Sequence, residues 1–569
     1  MPEEAPRWTS LPGMMLGLAR QHPDRPMLTR WKDGAWVRMV WGEFAMKVSA
    51  LAAWLRAAGV APGDRVLLVS ENRPEFLIAD VAVMSIGAVT VPTYTTNTVH
   101  DHAHILRDSG ARAAIVSTTA LARAVAAGAT EADGLDLMLC MEPGAAAPPG
   151  GRLATWAEAE ATPNDPAMLM AEVEHIPEGR LACLIYTSGT GGAPKGVMLP
   201  HRALLANREG VRPLIERLNV AGERYLSFLP MSHSYEHTVG GFLLPSFGME
   251  VVYSRGAERL GAEMAEFKPA IITAVPRLFE VLRTRILAQV EKDGGLKARL
   301  FHRALALGLR RLDGPALSWL ENVQLGLIDR LVGAKIRARF GGNLRALVSG
   351  SARLDPELSA FFLAFGLPLI QGYGQSEAGP VISVNLPWDN DRRTVGPALP
   401  GVELRIAGDG EILVRGDLVM DGYWNRPEAS AAAIQDGWLH TGDVGRLEGG
   451  KLVITDRKRD FIKLKGGDMV APSKLEALLV GEPEIAQAVA AGEGLAGVVA
   501  LLVPAEGAAD GLGAAVARVN AKLSPIERIR RWKAVPEPFS VENELLTPTM
   551  KVRRRAVIER YRDSLGELG

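Results

Sequence analysis

A glycine-rich segment near the middle of the chain carries residue types that can hold phosphate. After an apolar stretch ending at Thr187, the chain continues as Ser188, Gly189, Thr190, Gly191, Gly192, Ala193, Pro194, Lys195 and Gly196. Backbone N–H groups, hydroxyls and one lysine can together surround and neutralise a triphosphate. The segment is not a Walker loop, because that motif needs Gly before the lysine and Ser or Thr after it. The residues alone leave two interpretations open, a phosphate-binding loop or a mobile connection.

Six further segments carry carboxylates, a histidine, basic residues and closely spaced glycines. They are residues 229–233, 372–377, 441–443, 456–460, 465–467 and 548–551. In this order, and together with the glycine-rich segment, they resemble the motifs of the acyl-adenylate-forming superfamily, which includes acyl-CoA synthetases, luciferases and nonribosomal adenylation domains. The resemblance extends from about Trp41 to the end of the chain. A helical insertion before residues 348–351 and the sequence of residues 546–551 are most similar to the long-chain fatty-acid branch.

The resemblance implies two half-reactions at one site. ATP converts a carboxylate into an acyl-AMP with release of pyrophosphate, and the thiol of CoA then displaces AMP. In the first step a negative oxygen attacks a negative α-phosphate, so cations and N–H donors must surround the developing charge. The implied catalytic residues are Lys551, which bridges carboxylate and phosphate, Glu377, which holds Mg²⁺, and His233, which lies beside the reacting carboxylate without acting as a general base.

The resemblance also implies residues that bind the two co-substrates, ATP and CoA. Those for the ATP phosphates are Thr187, Ser188, Gly189, Thr190, Gly191 and Lys195. Those for adenine and ribose are Gly350, Ser351, Ala352, Gln371, Gly372, Tyr373, Gly374, Ser376, Asp443 and Arg457. Tyr373 is expected to stack on adenine, and Asp443 to accept from the ribose hydroxyls. Lys465, Gly466 and Gly467 are expected to face CoA after rotation at a hinge, Arg459.

Three positions depart from the usual family pattern. Gly191 stands where Thr is usual, which removes one hydroxyl from the phosphate loop. Ser376 replaces Thr before the glutamate but keeps a hydroxyl. Arg459 occupies the hinge, where Asp or Lys is commoner. We expect the hydroxyl lost at Gly191 to affect the rate and not the class of reaction, and the hinge to need backbone torsion more than a particular side chain.

The elements that must position these residues follow an α/β pattern. Helical and strand periodicities alternate over residues 41–117 and again over 181–253, which predicts parallel βα units in two stacked lobes. Short strands separated by glycines after Pro387 predict a small β-rich unit. After Phe461 the pattern is mixed α+β. We therefore expect an N-terminal body of residues 1–457 and a small, mobile C-terminal domain of residues 458–569.

The sequence pattern of residues 281–340 predicts a helical insertion. Residues 281–339 contain twelve Lys and Arg against five Asp and Glu. The favoured interpretation is a helical hairpin whose charges face water; the alternative is a basic face resting on anionic lipid. Two long uncharged stretches, 81–100 and 358–376, contain turns and polar residues, so they predict buried helix and strand pieces and not membrane spans.

Composition narrows the class of protein and its partners. The 569 residues contain 64 Lys and Arg against 65 Asp and Glu, a balance that indicates no nucleic-acid partner. Cys140 and Cys183 form neither a zinc pattern nor a disulfide framework, and the acidic N-terminus is unlike a secretory signal. We expect a cytoplasmic protein, with possible peripheral contact with the inner face of an anionic membrane. Nothing in the sequence implies a partner protein.

The sequence thus predicts an ATP-dependent ligase that joins a fatty acid, most simply a long-chain one, to CoA. A ligase for a medium-chain, branched or aromatic acid would carry the same motifs. So would an acyl-AMP ligase that transfers its product to a carrier protein. The remaining alternative is a non-catalytic protein that binds an acyl chain or nucleotide.

Overall fold

The structure is a computed structural model that describes residues 7–187, 193–458, 460–466, 468–541, 543–547 and 552–568. The chain divides into two compact units. The larger contains residues 1–187, 195–403 and 414–439; the smaller contains residues 188–194, 404–413 and 440–569. The division between residues 457 and 458 that the sequence suggests stays a prediction.

A seven-stranded sheet holds the strand that leads into the glycine-rich segment. Its strands, numbered in chain order, are β3 (Arg65–Val69), β4 (Val89–Thr93), β5 (Ala113–Val116), β6 (Leu137–Cys140), β7 (Arg152–Thr155), β8 (Leu181–Thr187) and β9 (Lys195–Pro200). The spatial order is β7-β6-β5-β3-β4-β8-β9, parallel except for β9. The central strands are almost wholly apolar, as expected where helices cover both faces of a sheet.

An eight-stranded sheet forms the second lobe of the larger unit. Its strands are β1 (Pro26–Lys32), β2 (Ala35–Val40), β10 (Arg224–Ser227), β11 (Glu250–Tyr253), β12 (Ile271–Ala274), β13 (Ala346–Ser349), β14 (Leu369–Tyr373) and β15 (Ser383–Val384). The spatial order is β15-β14-β13-β12-β10-β11-β1-β2. The pairs from β14 to β1 are parallel. This lobe and the first confirm the predicted stacked α/β architecture.

Helices connect the strands of both lobes and form most of the insertion. They are α1 (Leu11–Gln21), α2 (Trp41–Ala57), α3 (Pro74–Ser85), α4 (Val99–Ser109), α5 (Thr119–Glu131), α6 (Trp156–Glu160), α7 (Pro166–Val173), α8 (His201–Leu218), α9 (Ser234–Glu236), α10 (Leu244–Ser246), α11 (Leu260–Phe267), α12 (Pro276–Asp293), α13 (Gly295–Asp313), α14 (Trp319–Ile328), α15 (Ala334–Arg339), α16 (Pro356–Ala364) and α17 (Pro427–Ala433). Two π-helical segments, His237–Leu243 and Asp329–Gly333, extend α9 and α14. The insertion is helical, as predicted.

The short strands expected after Pro387 are present. They are β16 (Glu403–Ile406), β17 (Glu411–Arg415), β18 (Ile434–Gln435), β19 (Trp438–Glu448) and β20 (Lys451–Arg457), which share one sheet. Strands β19 and β20 are antiparallel, and their register places Asp443 opposite Arg457.

The chain after β20 has its own apolar cores. Its elements are β21 (Ile462–Lys463), β22 (Met469–Val470), α18 (Pro472–Val480), β23 (Ile485–Ala491), β24 (Val498–Pro504), α19 (Leu512–Ala521), β25 (Ile529–Ala534), α20 (Arg554–Arg560) and α21 (Arg562–Gly566). Alternate residues of β24 enter different cores: Ala500 packs with α18 and α19, and Leu501 packs with Val557 of α20. A sheet covered on both faces explains the mixed α+β pattern of the sequence.

The two uncharged stretches belong to the larger unit and are mostly buried. Residues 81–100 contain the end of α3 and β4, and residues 358–376 contain most of α16 and β14. Among the residues that the structure describes, no helix has both the length and the apolar character required to cross a bilayer.

Candidate active site

Several of the predicted site residues lie outside the described part of the chain. They are Ser188, Gly189, Thr190, Gly191, Arg459, Gly467 and Lys551. The other predicted residues are divided between the two units.

Lys195 and Glu377 are brought together in the larger unit by a third residue, Tyr423. Lys195 begins β9 and pairs with Thr187, the last residue of β8. Its Nζ lies 4.9 Å from the centre of the Tyr423 ring. The hydroxyl of Tyr423 donates a hydrogen bond of 2.9 Å to Oε1 of Glu377. The lysine predicted for the phosphate loop and the carboxylate predicted to hold Mg²⁺ therefore contact the same aromatic side chain.

A tight turn after β14 sets the position of Glu377. The turn is a single 3₁₀ segment, Ser376–Ala378, and the carbonyl of Glu377 accepts a hydrogen bond from Met420 N–H. Gly374 is required before it, since a Cβ there would lie 1.8 Å from the carbonyl oxygen of Pro380. Gly372 and Tyr373 pair with β15, and Gln371 is buried on β14. The backbone thus holds the Gly-Tyr-Gly sequence against the sheet and turns Glu377 away from it.

His233 and Ser376 are linked through the short helix α9. The hydroxyls of Ser234 and Ser376 are 2.7 Å apart, within hydrogen-bond distance. His233 caps this helix, because its Nδ1 accepts a hydrogen bond of 3.1 Å from Tyr235 N–H. A neutral ring that accepts at Nδ1 carries its proton on Nε2 and acts as a donor there. The role of His233 beside the reacting carboxylate stays a prediction.

Glu236, on the same short helix, is a buried carboxyl that the sequence analysis missed. It accepts hydrogen bonds from Tyr225 and Ser227 of β10 and from Thr273 of β12. Burial raises the pKa of Glu236 to about 7, and the three hydroxyl donors only partly oppose this effect. The signal that could have revealed it is an acidic residue shortly before the uncharged, largely apolar run of residues 239–247.

Gly350 packs directly against an aromatic ring of α9. A Cβ at Gly350 would lie 2.9 Å from Cε1 of Tyr235, so a larger residue would displace the ring. Ser351 follows with a φ of +65°, which a non-glycine residue adopts at a cost. Ala352 is exposed beyond it. The predicted nucleotide segment 350–352 therefore contacts the segment that carries His233.

Asp443 and Arg457 form a pair in the smaller unit. Nε of Arg457 donates to Oδ1 of Asp443 across 3.2 Å, and the Asp443 side chain is only 7% exposed. The turn before Asp443 is fixed by Gly442, which has a φ of +71° and donates from its N–H to Glu411. The structure thus orients the carboxylate that the sequence predicts to bind ribose.

Two further features of the smaller unit concern the predicted CoA and lysine segments. Lys465 and Gly466 are exposed, and Lys465 N–H donates to the carbonyl of Leu495. Arg554, three residues after Lys551, donates to both carboxylate oxygens of Glu476 at 2.5 and 2.7 Å. The basic run near Lys551 therefore includes an anchor to α18, which the sequence analysis did not predict.

Comparison with known proteins supplies an independent line of evidence. Residues 18–424 match the family described as AMP-binding enzyme, and residues 459–568 match the AMP-binding enzyme C-terminal domain. The chain is 35% identical to the long-chain-fatty-acid–CoA ligase FadD15 of Mycobacterium tuberculosis, with 95% of this chain and 94% of that protein covered. It is 30% identical to the peroxisomal long chain acyl-CoA synthetase 6 of Arabidopsis thaliana, with 93% and 81% covered.

The fold also matches solved structures. The adenylation domain of a carboxylate reductase from Mycobacterium chelonae superposes with a TM-score of 0.76 at 22% sequence identity. The alignment covers 100% of this chain and 92% of that structure. At this level of identity the likeness shows a shared fold.

Proposed function

This chain belongs to the AMP-binding enzyme family, and on that premise we propose that it is a long-chain fatty acid–CoA ligase. It activates the acid with ATP to an acyl-AMP, releases pyrophosphate, and transfers the acyl group to CoA with release of AMP. The observation that carries this proposal is the 35% identity to a long-chain-fatty-acid–CoA ligase over 95% of the chain. Identity over nearly the whole of both proteins includes both the N-terminal and the C-terminal family domains.

The geometry of the larger unit supports the adenylation step. Lys195 pairs with the last residue of β8, and the predicted phosphate loop joins these two residues in the sequence, so we assign the ATP phosphates to this edge of the sheet. Glu377 suits Mg²⁺, since a carboxylate is a hard oxygen ligand and Tyr423 fixes one of its oxygens. When bound, Mg²⁺ supplies positive charge against the phosphate oxygens. Lys551 and Nε2–H of His233 are assigned to the reacting carboxylate.

The smaller unit supplies the remaining contacts in this proposal. Asp443, oriented by Arg457, accepts hydrogen bonds from the ribose hydroxyls. Rotation at Arg459 then withdraws Lys551 and brings Lys465, Gly466 and Gly467 to the pantetheine of CoA. Glycines suit that approach because backbone without a Cβ can pass close to a ligand.

Pyrophosphate exchange into ATP tests the proposal. Acids from butyrate to oleate, with benzoate added, are compared for exchange, and CoA is then supplied to detect the thioester. We expect exchange to peak with long chains and to yield acyl-CoA. Exchange that peaks with benzoate or a short acid would show that the substrate is not a long-chain acid. Exchange without thioester would point to an acyl-AMP ligase. No exchange despite measurable ATP binding would overturn the enzymatic proposal.

The cellular setting is part of the same proposal. Cys140 and Cys183 are both free and buried, which agrees with a reducing cytoplasm. Fatty acid, ATP and CoA are the expected small-molecule partners. Contact with the inner face of an anionic membrane would place the enzyme where long-chain acids dissolve.

A further inference from the structure

One helix of the insertion exposes a continuous apolar face. Helix α14 runs into the π-helical segment Asp329–Gly333 and then α15. Trp319, Val323, Leu327 and Leu331 recur every four residues and are 75%, 45%, 58% and 56% exposed. Since an α-helix turns by about 100° per residue, these four side chains lie along one side. We call this set, together with Leu320 at 70% exposure, the apolar stripe.

The other side of the same helix is fully used by the protein core. Three residues on this side are buried: Leu325, Ile328 and Ile336. The last two belong to the apolar core that the eight-stranded sheet forms with its helices. The apolar stripe is therefore additional to the residues that folding requires. Seven of the sixteen large apolar side chains that are exposed in the described chain lie between Leu296 and Leu331. Exposed apolar side chains are normally scattered singly, and a cluster marks an interaction surface.

The charges around the apolar stripe are of one sign. The two carboxylates of this helical stretch are already paired: Glu321 with Arg310 of α13, and Asp329 with Arg337. Arg330 and Lys335 are exposed and form no ion pair with any described residue. Arg330 lies three residues after Leu327, on one side of the stripe, and Lys335 follows Leu331 by four residues and so extends the same row. The exposed face thus combines an apolar centre with unneutralised positive charge.

We propose that the apolar stripe docks onto an anionic lipid bilayer, with α14 lying in the plane of the membrane surface. An interfacial helix needs an apolar face, flanking Lys or Arg and an aromatic residue at headgroup depth, and the stripe provides all three. A second copy of the chain fits less well, because the carboxylates beside the stripe, Glu321 and Asp329, are already paired and so cannot neutralise Arg330 and Lys335 of a partner. The surface stands on these residues alone, whichever acid the enzyme activates.

Vesicle co-sedimentation of the full chain tests the docking surface. Vesicles of phosphatidylcholine alone are compared with vesicles that contain equal parts of phosphatidylcholine and phosphatidylglycerol. One variant carries Trp319→Ser, Val323→Ser, Leu327→Ser and Leu331→Ser; its control carries Val37→Ser, Met46→Ser and Met168→Ser, which are exposed apolar residues outside the insertion. A second variant carries Arg330→Glu and Lys335→Glu, and its control carries Lys32→Glu and Arg123→Glu, which are exposed and unpaired among the described residues.

The expected results separate the two parts of the surface. The wild type and both controls bind the anionic vesicles, and the stripe variant falls to background. Because each basic residue near an anionic surface contributes about 1 kcal/mol, loss of the two positive charges should weaken binding about thirtyfold, and their reversal should weaken it further. Binding of the wild type and the charge variant converges at high salt.

Other results would overturn the proposal. Equal absence of binding to both kinds of vesicle would do so, as would a stripe variant that binds like the wild type. A wild-type dimer that the stripe substitutions dissociate, with no lipid effect, would assign the surface to a second copy. Pyrophosphate exchange with a water-soluble acid is measured in parallel for every variant. A wild type that shows no exchange would count against the proposed function. A wild type that exchanges but does not bind vesicles would count only against the docking surface.

Discussion

The hydroxyl of Tyr423 donates a hydrogen bond of 2.9 Å to the carboxylate of Glu377, while its ring faces the ammonium group of Lys195. One side chain therefore contacts both the residue assigned to Mg²⁺ and the residue assigned to the phosphates. The hydrogen bond fixes one carboxylate oxygen, and the face of the ring attracts the ammonium group and so positions the lysine.

Removing the Tyr423 hydroxyl tests this relationship. We expect Tyr423→Phe to lower pyrophosphate exchange about tenfold, because a hydrogen bond to a charged group contributes about 1.5 to 3 kcal/mol. The Mg²⁺ concentration needed for half-maximal exchange should rise. Tyr423→Leu also removes the ring contact with Lys195, so it should lower the rate of pyrophosphate exchange further. Tyr253→Phe is the matched control, since the Tyr253 hydroxyl is buried without a hydrogen-bond partner among the described residues; an equal loss there would count against a specific role.

Glu236 predicts a pH dependence of stability. Burial raises its pKa from 4.5 to about 7, so the folded protein disfavours the charged carboxylate. Stability from this group is complete below about pH 4.5 and is lost as the pH rises through about 7. Glu236→Gln cannot ionise. We expect the free energy of unfolding of this variant, relative to wild type, to improve by roughly 2 to 3 kcal/mol between pH 5 and pH 8.

Glu250 is the control carboxyl for this measurement. It is buried, but hydrogen bonds from Thr29 and Arg224, with the charge of Arg38, outweigh the effect of burial and lower its pKa. Its contribution is present above pH 4.5 and is lost only at lower pH. The difference between Glu250→Gln and wild type should therefore stay flat between pH 5.5 and pH 8 in urea unfolding. A flat difference for Glu236→Gln as well would show that its pKa is not raised.

The sequence predicted the architecture because alternation of helical and strand periods is a local signal. It placed β8, the helical insertion and the strands after Pro387 correctly. It did not predict Tyr423, whose contact with Glu377 joins residues 46 positions apart. Such a contact depends on how the chain packs and has no local signature.

The basic run near Lys551 shows the same limit. Lys551, Arg553, Arg554 and Arg555 place four basic residues in five positions, a pattern typical of a solvated helix start. The structure shows that Arg554 is instead bound to Glu476, which is 78 positions away. The local sequence pattern could not show whether an arginine of this run is bound to a carboxylate or solvated, because its partner, Glu476, is distant in the chain.

Asp443 predicts discrimination between ATP and its deoxy analogues. If its carboxylate accepts from the ribose, Asp443→Asn should raise the KM for ATP about tenfold or more, because a charged hydrogen bond is lost. The wild type should prefer ATP to 2′-deoxy-ATP, and the variant should lose most of that preference. Asp409→Asn is the control, because Asp409 lies in the same unit and pairs with Lys458. Equal preference for ATP in wild type and Asp443→Asn would remove Asp443 from the ribose site.

Substitutions of Lys551 and Arg554 should affect the two half-reactions differently. Lys551→Ala should lower pyrophosphate exchange about 10² to 10³-fold, the usual cost of one preorganised charge contact. It should leave thioester formation from supplied acyl-AMP and CoA nearly unchanged, because the proposed rotation at Arg459 would withdraw the lysine before that step. Arg554→Ala leaves Glu476 without its partner, so it should lower the thermal stability of the smaller unit and slow both half-reactions together. Equal loss of both half-reactions in Lys551→Ala, without a change in stability, would mean that the lysine acts in thioester formation too and that no rotation withdraws it.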